Sequence, residues 1–268
     1  MVKRLLPLLW FIAACACVRA ASPPSVFLEE LTWPEVRDAT HAGMTTILVP
    51  IGGTEQNGPH MALGKHNARA REFAGRIAKA LGNALVAPVI AYVPEGGIDP
   101  PTGHMRFPGT ITIPEDAFEK VLESAARGFR LHGFRDIVFL GDHGGYRKSL
   151  ERVAERLDKE WASLHSRVRV HAMPEYYEAQ TRDFAALLRG KGFTDAQIGV
   201  HAGLADTSLT LAVDPSLVRT ERLGAATRGA ADGVRGDPRA ATPELGRLGA
   251  DLVVEKTVEA IRKATARR

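Results

Sequence analysis

The stretch from Thr45 to His66, TTILVPIGGTEQNGPHMALGKH, constrains this chain more than any other. Residues 45–50 are β-branched and apolar and end in proline, the pattern of a buried strand. Gly52 and Gly53 then permit a sharp turn, and the loop beyond is crowded with Glu55, Asn57, His60 and His66. Polar groups therefore collect at the carboxyl end of an inner strand, where open α/β sheets gather ligands and metals. The expectation is that this loop supplies half of a metal site and later loops supply the rest.

The same arrangement recurs downstream. Residues 136–140 (DIVFL) read as another buried strand, followed at once by Gly141-Asp142-His143-Gly144-Gly145-Tyr146. A third polar loop, Val200-His201-Ala202-Gly203-Leu204-Ala205-Asp206, leads into a helix that stops near Asp214 and Pro215. Between these loops, strand-like runs at 85–93, 110–113 and 168–173 alternate with helical patterns at 67–81, 114–132, 147–163 and 175–189. Asn67 is the expected cap of the first of these helices and Gly82 its stop. Thr32 is expected to cap an earlier helix with Pro34 in its first turn, and residues 243–263 to form a terminal one. Strands alternating with helices of this length predict an α/β protein, three layers deep in the order α/β/α, around a mostly parallel sheet. The Gly/Pro-rich residues 94–107, which contain His104, form a connection long enough to be functional.

With 268 residues, 45% of them apolar, the chain suits one large core. Residues 1–20 read as a signal peptide, leaving a single domain over 21–268: Lys3 and Arg4 precede an apolar segment that closes with Val18-Arg19-Ala20. This segment is too short for a membrane span; the alternatives are an uncleaved anchor or a lipoprotein cut before Cys15. An exported product, periplasmic or secreted, is the expectation. Both cysteines, Cys15 and Cys17, fall inside the leader, so a chain starting near Ala21 has no disulfide and no thiol nucleophile. Cleavage also removes three of the 35 basic residues against 31 acidic ones, a net charge of +1 instead of +4, which argues against a nucleic-acid partner.

Imidazoles and carboxylates at three strand ends of one parallel sheet converge on one edge, with donors that suit zinc, manganese or iron. The motifs that carry them resemble those of the creatininase (creatinine amidohydrolase) family over essentially the whole mature chain. Thr54-Glu55-Gln56-Asn57-Gly58-Pro59-His60 resembles the family's T-E-Q-H-G-P-H loop, and His104 with Phe107-Pro108-Gly109-Thr110 its H-x-x-F-P-G-T segment. His143-Gly144-Gly145 resembles part of N-G-H-G-G-N, His201-Ala202-Gly203 with Asp206-Thr207-Ser208 resembles H-A-G-E-x-E-T-S, and residues 241–246 resemble the closing helix. The resemblance implies a metal-dependent amidohydrolase acting on C–N bonds of small or cyclic amides, and a homo-oligomer. Carried over residue by residue, it puts ligands at Glu55, His143 and Asp206.

Two positions depart from the pattern. The family's first-loop histidine is Asn57, and its bridging aspartate is His66. A carboxylate can span two cations, whereas a neutral imidazole offers one lone pair to one. The expected centre therefore holds one divalent ion, zinc first with manganese or iron as alternatives, between Glu55, His66, His143 and Asp206. Its water would attack the amide carbon, with His201 moving a proton to the departing nitrogen and Asp206 completing the catalytic pair. His60 and His104 are expected to support the loops. Leu204, where the family has a glutamate, cannot ligate, and with the replaced asparagines it points away from creatinine as the substrate. The alternatives of another class are a relative that has lost catalysis and serves as a binding or structural protein, and a solute-binding protein.

Overall fold

The computed structural model describes residues 23–266, so the expected signal peptide and its Cys15 lie outside the described residues. Among the described residues four strands, β1 (Thr46–Ile51), β2 (Ala84–Val86), β3 (Asp136–Gly141) and β4 (Arg169–Ala172), pair in parallel in the order β2-β1-β3-β4. The first helix, α1 (Trp33–His41), starts as expected: the Glu35 carboxylate accepts from the Thr32 N–H at 2.7 Å and from its hydroxyl at 2.8 Å. The remaining helices are α2 (Lys65–Leu81), α3 (Glu115–Leu131), α4 (Arg147–Ser163), α5 (Pro174–Glu178), α6 (Phe184–Gly190), α7 (Asp195–Ile198), α8 (Leu204–Val213) and α9 (Pro243–Thr265). One π-helical turn, Ala179–Asp183, joins α5 to α6.

Successive side chains of a strand leave by opposite faces, and the two cores show it. Leu48, Val138 and Leu140 pack with Phe73 and Ile77 of α2, Phe184 of α6 and Val253 of α9. Ile47, Val49, Ile137 and Phe139 pack with Phe118 and Leu122 of α3 and with Val153 and Leu157 of α4. Each such side chain withdrawn from water contributes about 1.5–3 kcal/mol, so the sheet is fixed from both sides. The three-layer α/β/α architecture expected from the sequence is the one observed. No helix among the described residues is long and apolar enough to cross a membrane.

Three differences from the expected elements bear on the site. The run at 85–93 pairs as a strand only over Ala84–Val86, with a single further bridge between Ile51 and Ile90; Pro88, between them, has no N–H to give a ladder. Residues 110–113 are held by isolated bonds, Ile111 N–H to Thr54 O and Ile113 N–H to Val93 O, and form no strand. The second helix begins at Lys65, two positions before its expected cap. Asn67 is drawn elsewhere: its Oδ1 accepts from the Gly53 N–H at 3.0 Å, pinning the turn after β1. His66 thereby sits on a helix instead of in the loop.

Candidate metal centre

Glu55 is fully buried at the end of β1, and four imidazoles surround its carboxylate. Oε1 lies 2.8 Å from His66 Nε2 and 3.7 Å from His201 Nδ1. Oε2 lies 3.1 Å from His104 Nε2 and 3.5 Å from His143 Nε2. A second buried carboxylate, Glu95, approaches through a gap that glycine keeps open: a Cβ on Gly53, whose φ is +150°, would come within 2.6 Å of Glu95 Oε1. Glu95 Oε2 is 3.6 Å from His143 Nδ1.

Ligand atoms of Glu55, Glu95, His104 and His143 all lie within 4.8 Å of one another. Glu55 Oε2 and both Glu95 oxygens are buried without a hydrogen-bond partner. Orphaned carboxylate oxygens of this kind cost free energy unless something positive meets them. Burial and the neighbouring Glu55 charge push the Glu95 carboxyl up to about 9, so without a cation it keeps its proton. Burial also acts to raise Glu55, but the His66 hydrogen bond and the electrostatic influence of the neighbouring His66, His143 and Lys65 side chains outweigh it and hold Glu55 well below the ordinary value. Burial lowers His143 to about 4 and lowers His104 as well, which leaves both rings neutral and able to give a lone pair. Two carboxylates and two neutral imidazoles match the donors of a zinc, manganese or iron ion.

The other two acids near the site are already matched. Asp206, in the first turn of α8, accepts from Lys65 Nζ at 2.6 Å and from the Ala202 N–H at 2.9 Å through Oδ2, and from Arg69 Nη1 at 2.7 Å through Oδ1. Burial works to raise it, yet Lys65 and Arg69 keep it well below its ordinary value. Asp142 Oδ2 takes Arg69 Nη2 at 2.7 Å and His66 Nδ1 at 2.6 Å, while Oδ1 accepts from Tyr176 Oη at 2.9 Å. Lys65 and Arg69, one helical turn apart on α2 and both buried, thus compensate Asp206 and Asp142. No lysine or arginine is ion-paired with Glu55 or Glu95 among the described residues, and one divalent cation would balance that pair of charges.

Of the residues expected as ligands, the structure therefore brings Glu55 and His143 together with Glu95 and His104. His66 stands beside them with both ring nitrogens against carboxylates, and Asp206 anchors Lys65 and Arg69. Asn57 turns toward its own loop, donating from Nδ2 to Glu55 O at 2.9 Å and Ala62 O at 3.1 Å. His60 Nε2 pairs with Thr207 Oγ1 at 3.0 Å, holding the first loop to α8. Tyr146 fixes the loop after β3: its hydroxyl donates to the backbone carbonyls at the end of β1 and accepts from the His143 N–H at 3.1 Å.

His201 Nε2 donates to Gln56 O at 3.0 Å, leaving Nδ1 toward Glu55. Burial and the Lys65 charge lower this ring to about 3. Its neighbour Ala202 is buried at a φ of +54°, a left-handed conformation costly for a residue with a Cβ. Glu95, Lys65 and Arg69 escaped the sequence reading; the length of the loop at 94–107 was the one signal that pointed to Glu95. A cavity of about 910 Å³ opens over the centre between Gln56, His104, His143 and His201, and a smaller one of about 330 Å³ touches Glu95, His104 and His143.

Comparison with known proteins agrees with this architecture. The family model for creatininase, creatinine amidohydrolase, matches residues 29–261. A mycofactocin precursor peptide peptidase of Mycobacterium ulcerans is 30% identical over 241 residues, covering 81% of this chain and 80% of its own length. A creatinine amidohydrolase of Pseudomonas putida is 29% identical over 207 residues, covering 74% and 76%. Among solved structures, a manganese creatininase superposes with a TM-score of 0.75 at 25% identity over 90% of this chain and 98% of that one. A mutant creatininase of Zn-Zn type gives 0.74 at the same identity and coverage.

Proposed function

Because this chain belongs to the creatininase family, we propose that it is a metal-dependent amidohydrolase that opens the C–N bond of a small amide, with one divalent ion held by Glu55, Glu95, His104 and His143. The observation that carries this reading is the set of three buried, partnerless oxygens on Glu55 and Glu95 facing two neutral imidazoles. The ion, zinc first among the candidates, would supply Lewis acidity at the amide carbonyl and toward water.

The protein's own part is positional. Gln56 accepts one His201 proton at its carbonyl, so the free Nδ1 lone pair is turned toward Glu55 and can take a proton from water and return it to the leaving nitrogen. Glu55, hydrogen-bonded by His66, stays ionised throughout. Asp142, itself held by Arg69, accepts from His66 Nδ1 and keeps the ring in that orientation from behind. Gln56, His66, His143 and His201 all line the large cavity, so a substrate seated there meets these groups directly.

Metal content of the purified protein and hydrolysis of an amide panel with and without EDTA test this. One equivalent of metal and turnover abolished by chelation are expected; a protein that binds no metal and cleaves nothing sinks the reading. The saturated states of His66 and Asp206 and the inward turn of Asn57 favour, as a second reading, a relative that keeps the fold for binding. The amide panel separates the two. Export, which rests on Lys3, Arg4 and the apolar residues after them, is tested by fractionating cells that express the full chain.

A further inference from the structure

The charges lining the large cavity do not cancel. Lys65 and Arg69 are spent on Asp206 and Asp142, and Arg189 is paired with Asp195 at 2.6 Å. Two arginines remain. Arg235 is exposed, lines the cavity and makes no side-chain ion pair or hydrogen bond among the described residues. Its nearest acid in sequence, Asp237, is held by Arg239 at 2.6 Å. Arg106 is likewise exposed on the cavity wall, and its one side-chain contact is a long bond of 3.4 Å to Pro101 O.

The backbone under Arg235 is nonetheless rigidly placed. Its N–H donates to His201 O at 2.8 Å, and its carbonyl accepts from the Val200 N–H at 2.8 Å. The short antiparallel bridge between Arg235 and His201 ties the arginine to the proposed proton carrier. The guanidinium is also close enough to His104 to help lower that ring. An unpartnered guanidinium anchored beside the reacting groups presents a planar fork of donors to a carboxylate, and Arg suits this geometry better than Lys.

We propose that Arg235, assisted by Arg106, forms a subsite for a carboxylate on the substrate, so that the compound cleaved is an acidic amide of the N-acyl amino acid type. This rests on the amidohydrolase reading for the bond that breaks, but the subsite can be measured without turnover. A cavity of about 910 Å³ has room for the acyl chain and the acid group together.

The test is calorimetric titration of the zinc-loaded protein with N-acetylglycine and with its neutral counterpart N-acetylglycinamide. The acid should bind at least about tenfold more tightly, a preference that weakens with added salt. Arg235→Gln should bring the acid down to the affinity of the amide while leaving the amide unchanged, Arg106→Gln should lose part of the preference, and Arg235→Lys should keep part of it. Both side chains are exposed, so a thermal melt should show the variants as stable as the parent. Equal binding of the two probes by the parent, no binding of the acid at millimolar concentration, or a preference that survives in the double glutamine variant would each overturn the subsite. The last result would place the carboxylate on the metal instead. An inert protein that prefers the acid removes only the hydrolysis, whereas a hydrolase indifferent to the carboxylate removes only the arginine subsite.

Discussion

Replacing Glu95 by glutamine should stabilise the metal-free protein and weaken the metal-loaded one. The carboxyl has an ordinary value of 4.5 and is pushed up to about 9 in the fold by burial and by Glu55. At pH 7 the folded, metal-free chain therefore keeps a proton that the unfolded chain has released. A folded state that binds more protons than the unfolded one loses stability as pH rises, here across the window from about 4.5 to 9. At 1.36 kcal/mol per pH unit, holding that proton at pH 7 costs about 3 kcal/mol, shrinking to under about 1 kcal/mol at pH 5.

The glutamine variant has no carboxyl to protonate and is spared this cost. Urea unfolding of EDTA-stripped parent and Glu95→Gln at pH 5 and pH 7 reads the difference: near-equal stability at pH 5, and a gain of about 3 kcal/mol for the variant at pH 7. With zinc present the order should reverse, because the parent gains binding energy through a ligand that the amide replaces poorly. If the metal-free parent does not weaken relative to the variant between pH 5 and pH 7, the picture of two buried carboxylates competing for one site fails. If zinc stabilises both alike, Glu95 is not a ligand.

Other perturbations follow from the same geometry. His143→Ala should abolish stoichiometric metal uptake, read by elemental analysis, while its circular dichroism spectrum stays that of the parent, since the ring sits at the cavity and not in either core. Gly53→Ala should raise the dissociation constant for zinc by roughly 10–100-fold, because the added Cβ would meet Glu95 Oε1 at 2.6 Å; a chelator competition that shows no change refutes the close approach. Lys65→Met should cost on the order of 3–5 kcal/mol in urea unfolding by leaving Asp206 short of its buried partner, and Lys65→Met with Asp206→Leu should recover much of that loss.

The sheet was legible because its strands are short apolar runs whose neighbours are strongly amphipathic. Residues 147–163 were expected as a helix and are one, since α4 carries Leu150, Val153, Leu157 and Trp161 on a single buried stripe. The start of α2 was not legible, because Asn67 looks like a cap and is taken up by a contact with Gly53 that only the folded turn creates. Within the site, Glu55 and His143 stood out because each directly follows a strand end in a glycine-rich loop. Glu95 did not, since a lone glutamate between proline and glycine has no periodicity or partner in the sequence to mark it. Asp206 illustrates the opposite limit: its residue type suits a ligand, and the decisive fact is the pair of cations that α2 delivers to it.

The Lys65, Arg69, Asp142 and Asp206 lattice joins the first turn of α2 to the loop after β3 and to α8, three segments far apart in the chain. Exchanging one member strands a charge in the interior, whereas exchanging a matched pair for apolar residues need not. These positions therefore constrain one another: a change at Lys65 or Arg69 is tolerated only with a matching change at Asp206 or Asp142.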